Sequence, residues 1–134
     1  MSVPGFTTMA SQFGPKETMD RLEAEVRGKG MEVFARIDHS AGARKAGMDL
    51  RPTEVLIFGA AKGGTPLMQA TQTIGIDLPL KALVWQDESG RTWLSTNDPT
   101  WLAQRHGVDS QVGAVARALG VMLGALAKNA ASGG

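Results

Sequence analysis

The residues best placed to do chemistry lie in Gly59-Ala60-Ala61-Lys62-Gly63-Gly64-Thr65-Pro66. An apolar run, Val55 to Phe58, precedes them, and Thr65-Pro66 reads as a helix cap followed by a first-turn proline. Strand, glycine loop and capped helix are the ingredients of an anion cradle. The first amides of a helix have no partner and carry roughly +0.5 of a charge. Glycine lets the backbone approach a guest, and Lys62 adds a mobile cation. The expected ligand site is therefore Lys62, Gly63, Gly64 and Thr65, with His39 and Asp77 converging on it. It is not a nucleotide-hydrolysing loop. Gly59 and Gly64 have the right spacing, but Thr65 stands where the lysine must be and Pro66 where the hydroxyl must be.

Asp38-His39-Ser40 carries acid, base and hydroxyl in succession. Adjacent residues on a strand point to opposite faces, so this order is no evidence for a triad. His39 is the one weak catalytic candidate, as a general base if Asp77 or Lys62 meets it. The plainer reading is that Asp38 and His39 cap a helix. Metal chemistry is not expected. His39 and His106 are the only histidines, cysteine is absent, and the methionines read as core filler rather than as a soft copper(I) site. No cofactor is expected.

These residues need elements to hold them. Strands are expected at Phe6 to Met9, Met31 to Asp38, Glu54 to Phe58, Leu80 to Gln86 and Thr92 to Thr96. Asp87-Glu88-Ser89-Gly90 is turn chemistry joining the last two, so Trp85 and Trp93 should pack across the hairpin. Met19, Leu22 and Val26 recur at helical spacing after Gly14-Pro15, and Gly28 and Gly30 end that helix. Ser40 can cap a short helix closed by Gly47. Another helix runs from Thr65-Pro66 to Ile74, and a further one starts after Asp98 and ends at Gly107. The order predicts an α+β class: a β-α-β4-α sandwich with a mainly antiparallel sheet and helices on one face. The connection from Phe58 to Leu80 is long enough to allow one parallel pair.

Val112 to Ala127 is apolar on nearly every side, with Gly120 and Gly124 four apart. Such a helix must be buried. Either it lies across its own sheet, or residues 110–127 pack against a second copy; a homodimer is the expected partner arrangement. The run is interrupted by Arg117 and is shorter than the roughly 20 residues of a membrane span. Residues 1–108 are expected to form one α+β domain, 109–128 a helical extension and 129–134 a frayed tail. With 14 basic and 13 acidic residues in 134, the net charge of +1 carries no electrostatic footprint for nucleic acid or an acidic membrane. Met1 to Ala10 lacks the cationic and apolar pattern of a secretory signal, which favours a cytoplasmic location.

Several segments together resemble a known family. They are Phe34-Ala35-Arg36-Ile37-Asp38-His39-Ser40-Ala41-Gly42-Ala43, Leu50-Arg51-Pro52-Thr53-Glu54, Phe58-Gly59, Lys62-Gly63-Gly64-Thr65-Pro66-Leu67-Met68 and Asp77-Leu78-Pro79-Leu80-Lys81. Asn97-Asp98-Pro99, Leu102 and Arg105-His106-Gly107 complete the set. It is similar to the domain of unknown function 302 family, over about residues 16–108. The resemblance implies an arrangement like that of the TATA-box-binding protein, β-α-β4-α, and no established activity. This sequence departs from the family at Ala60-Ala61, where Asn-Pro is usual, and at Thr96, where an aromatic is usual. The functional expectation is a non-enzymatic module holding a small anionic or polar ligand. The alternatives are an enzyme using His39 in the same pocket and a homodimeric assembly protein.

Overall fold

The computed structural model describes residues 3–133. Five strands form one sheet: β1 (Phe6–Ala10), β2 (Glu32–Asp38), β3 (Thr53–Gly59), β4 (Leu80–Gln86) and β5 (Thr92–Asn97), in the spatial order β1-β5-β4-β3-β2. Every neighbouring pair is antiparallel, so the long connection after β3 brings the chain back without a parallel crossover. The hairpin β4–β5 sets Trp85 opposite Trp93, with ring centroids 6.1 Å apart. A bulge between Val33 and Ala35 shifts the register of β2 by one residue.

Helix α1 (Pro15–Gly28) starts on a proline and buries Met19, Leu22 and Val26. These pack on Leu56, Phe58, Ala82, Val84 and Leu94, the alternate residues of β3, β4 and β5. Helix α2 (His39–Lys45) is capped by Asp38, whose carboxylate accepts the Ala41 N–H at 3.0 Å. Asp38, rather than Ser40, is therefore the cap. Ser40 is buried behind it, donating to Asp38 at 2.7 Å and accepting from Thr53 N.

Helix α3 (Ala61–Ala70) begins four residues before the expected cap at Thr65. It contains two glycines and a proline, poor helix formers, so packing rather than propensity holds it. Leu67 is buried in a second cluster with Ile74, Leu102, Ala103, Val108, Val112 and Ala116. A 3-10 turn at Gln72–Asp77 follows, and α4 (Pro99–Arg105) is capped by Asp98.

Helix α5 (Asp109–Ser132) runs across the sheet, with a break in helical geometry at Val112. Its Leu123, Leu126, Ala127 and Ala130 complete the main core. Within residues 110–127, Val112, Ala116, Leu123, Leu126 and Ala127 are buried inside the chain itself, where α5 packs on α1, α3 and α4 and on the β1–β5 edge of the sheet. The tail expected to fray from residue 129 is helical through Ser132. Ala130 and Ala131 are buried, and Arg21 of α1 donates to the carbonyls of Ala130 and Asn129 at 2.9 and 3.0 Å, closing the helix end. By length and composition α5 is the one helix among the described residues that could cross a membrane.

Candidate functional site

At the end of β3, where Gly59 leads into α3, the surface opens into a cavity of about 800 Å³. Its walls come from β2, the β3–α3 junction, the segment before β4, and α5. Met31, Phe34, Met68, Leu78, Leu119 and Met122 supply the apolar surface. Gly59, Gly63, Gly64 and Gly75 line it as well. A Cβ on Gly63 would sit 3.0 Å from the Leu119 side chain, and one on Gly75 would sit 3.4 Å from the Met68 sulfur. Glycine at 63 thus lets α3 lie close against α5, and glycine at 75 gives the Met68 thioether room. Glu32 is the one charged residue on the lining.

This is the glycine segment expected to cradle an anion, and the structure puts its glycines to another use. The Gly63 and Gly64 amides both donate to the Ala60 carbonyl, at 3.0 and 3.3 Å, inside the first turn of α3. They are not spare. Thr65 lies within the helix, exposed, and does not cap it. Lys62 is exposed beside the cavity and is not part of its lining.

The expected convergence of His39, Lys62 and Asp77 does not occur. His39 follows Asp38, which pairs with Glu54 at one end of β3, while Lys62 follows Gly59 at the other end. At about 3.3 Å per residue, some 17 Å of sheet separates them. His39 is exposed at the start of α2. With no carboxylate or lysine brought to it, the general-base reading of His39 loses its geometry.

Asp77 instead engages the other histidine. Its Oδ2 lies 2.6 Å from His106 Nε2, and Arg105 Nη1 bonds both carboxylate oxygens at 2.8 and 2.9 Å. The second ring nitrogen of His106 lies 3.0 Å from the Thr73 hydroxyl. The imidazole is clamped between both ends of the 3-10 turn, fastening α4 to the segment whose Gly75 and Leu78 line the cavity. No local spacing announces this pairing, since Asp77 and His106 are 29 residues apart. The methionines of the cavity were equally silent, because a thioether at an apolar position reads the same in a core and in a pocket wall.

Among the described residues no cluster of three or more histidines, aspartates or glutamates is placed to hold a metal ion. The charged groups that are concentrated lie at the far edge. Arg36 bonds Glu54 at 2.7 and 3.2 Å, Glu23 at 3.1 Å and Asp20 at 2.8 Å. These bonds, above all those to Glu54, push the guanidinium above its ordinary range. The network ties α1 to β2 and β3.

Fold and site together define a small antiparallel α+β domain with helices on one face of its sheet and an apolar cavity at the sheet's end. The chain belongs to the family described as "Domain of unknown function DUF302", which it matches over residues 7–126. The match takes in most of α5, which the resemblance had left outside. The fold is also that of an uncharacterized conserved protein DUF302 from Bacillus stearothermophilus. The TM-score is 0.85 at 22% identity, covering 96% of this chain and 99% of that one. Among curated proteins, "Fluoride-specific ion channel FluC 1" of Brucella suis biovar 1 is 46% identical over 127 residues, 95% of this chain. "Fluoride-specific ion channel FluC 2" of Brucella melitensis biotype 1 is likewise 46% identical. The chain spans about half the length of these relatives, 50% and 47%.

Proposed function

We propose that the domain is a binding module for a small, mainly apolar molecule, held in the cavity between β2, α3 and α5. The observation that carries this reading is the lining: three methionines, Phe34 and three leucines around about 800 Å³, with glycines where side chains would intrude. The volume lies within the range of small-molecule sites, and burial of apolar ligand surface contributes about 25 cal/mol per Å². Methionine adapts its shape to a guest at little cost. The expectation of a bound anion is narrowed accordingly. The glycine amides that would have held it are satisfied by Ala60, and Glu32 opposes negative charge at the wall.

Fluoride passage stays with the relatives named for it. The α5 helix, the one of membrane-crossing length, turns Leu123, Leu126, Ala127 and Ala130 into its own core.

Titration calorimetry and amide NMR with medium-chain alcohols, aromatic amides, phosphate, sulfate and fluoride test the proposal. The uncharged apolar compounds are expected to move the amides of Gly59, Gly64 and Gly75. Met68→Trp, which fills the cavity, should abolish the effect with the thermal midpoint retained. Lys62→Ala should leave it unchanged. If the apolar set moves none of these amides, or if phosphate binds and Lys62→Ala removes that binding, the reading fails.

A further inference from the structure

Building on the reading of the cavity as a small-molecule site, we propose that its occupant carries one positive charge. The class is a tertiary or quaternary ammonium on an apolar body, its head held by Glu32 and the Phe34 ring. Among the described residues Glu32 is the only charged group on the lining, and it enters no ion pair. Lys29, three residues before it, and Lys62, three residues after its cross-strand neighbour Gly59, are exposed and stand off the lining. A neutral apolar guest takes water from that carboxylate and returns nothing, and an anion adds repulsion. A cation compensates it.

The surroundings of Glu32 shape the head. It faces Gly59 across β2 and β3. A Cβ on Gly59 would come 3.8 Å from the Pro79 side chain and 4.0 Å from the Phe34 ring, so glycine leaves the space between ring and proline open beside the carboxylate. Phe34 lines the cavity and is 52% exposed, which keeps its ring uncovered. A cation within about 6 Å of a ring centroid is attracted to the negative face of the ring. The polarisable thioethers of Met31, Met68 and Met122 accept alkyl groups on nitrogen as readily as they accept the apolar body.

Hydrogen-bonding capacity separates alkylated amines from primary ones. A primary ammonium brings three N–H donors. The polar side chains on the lining are Glu32 and Thr65, and the Ala60 carbonyl is already taken by the Gly63 and Gly64 amides. Burial would leave donors of a primary ammonium unpaired, whereas a trimethylammonium has none to lose.

Titration calorimetry of the full chain at pH 7 with octyltrimethylammonium, octylammonium, octanol and octanoate, each below its micelle threshold, decides it. Octyltrimethylammonium should bind tightest, about tenfold more tightly than octanol, which is what an exposed ion pair and a cation–π contact supply together. Octanoate should bind most weakly. Glu32→Gln and Phe34→Leu, both at exposed positions, should each shrink the tenfold advantage and leave octanol unchanged. Octanol binding as tightly as the trimethylammonium, or octanoate more tightly, overturns the charge assignment while the cavity keeps its apolar ligand. An advantage that Glu32→Gln leaves intact overturns it too, and octylammonium binding tightest overturns the alkylated head. If none of the four binds, the reading of the cavity itself falls and takes this one with it. If Glu32→Gln fails to fold, added salt decides: screening of an exposed carboxylate must narrow the advantage, and an advantage indifferent to salt refutes the pairing.

Discussion

Arg36 is the side chain on which most charges converge, and its neighbourhood shows how one residue couples two elements. Asp20 and Glu23 approach from α1 and Glu54 from β3, while the arginine keeps 24% of its side chain exposed. Removing the guanidinium leaves three carboxylates facing one another in a half-buried setting. Arg36→Ala is expected to cost about 1–3 kcal/mol, between the values for exposed and buried ion pairs. Urea unfolding at pH 7 measures this, and a loss under about 0.5 kcal/mol would mean that the network is surface decoration. Met68→Trp belongs to the same scale, because the free space beside that one thioether is what the proposed ligand occupies.

Among the elements, α5 bears most directly on stability. Leu123, Leu126, Ala127 and Ala130 belong to the main core, and Val112 and Ala116 to the second. Single Leu→Ala changes in cores cost about 2–5 kcal/mol, and a domain of this size has about 5–15 kcal/mol in total. Truncation after Val108 is therefore expected to abolish the cooperative thermal transition followed by circular dichroism; a truncated chain that melts cooperatively would show α5 to be an appendage. The strands were legible from alternation, Met31 to Asp38 in particular, and the β4–β5 turn from Asp87 to Gly90. The start of α3 was not. Thr65-Pro66 is a strong local signal for a helix start, yet Leu67 and the fit of Gly63 against Leu119 pull the preceding turn into the helix. The site expected there inherited that error, since an amide counted as free in a loop is a bonded amide in a helix. Gly63 and Gly64 do line the cavity, but as thin walls.

For the molecule as a whole, acid is the informative perturbation, because a net charge of +1 conceals a set of carboxylates held below their ordinary range. Asp20 is lowered by its bonds to Lys16 and Arg36, and Glu23 by those to Arg27 and Arg36. Asp38 is lowered by the Ser40 hydroxyl and the Ala41 amide, and Asp87 by the Trp93 indole and the Arg91 amide. In each case the folded state favours the ionised form, so the unfolded chain binds protons more readily. The stabilisation is complete above the unfolded values, about pH 4, and is lost as pH falls through the lower folded ones. Because these groups sit at α1, at the α2 cap and at the β4–β5 turn, the loss is spread over the whole domain. The thermal midpoint is expected to stay level from pH 7 to about 5 and to fall steeply below 4. Arg36→Ala, which removes a cause shared by Asp20 and Glu23, should start lower and fall less. Equal slopes for the two proteins would refute the linkage and place the acid sensitivity elsewhere in the chain.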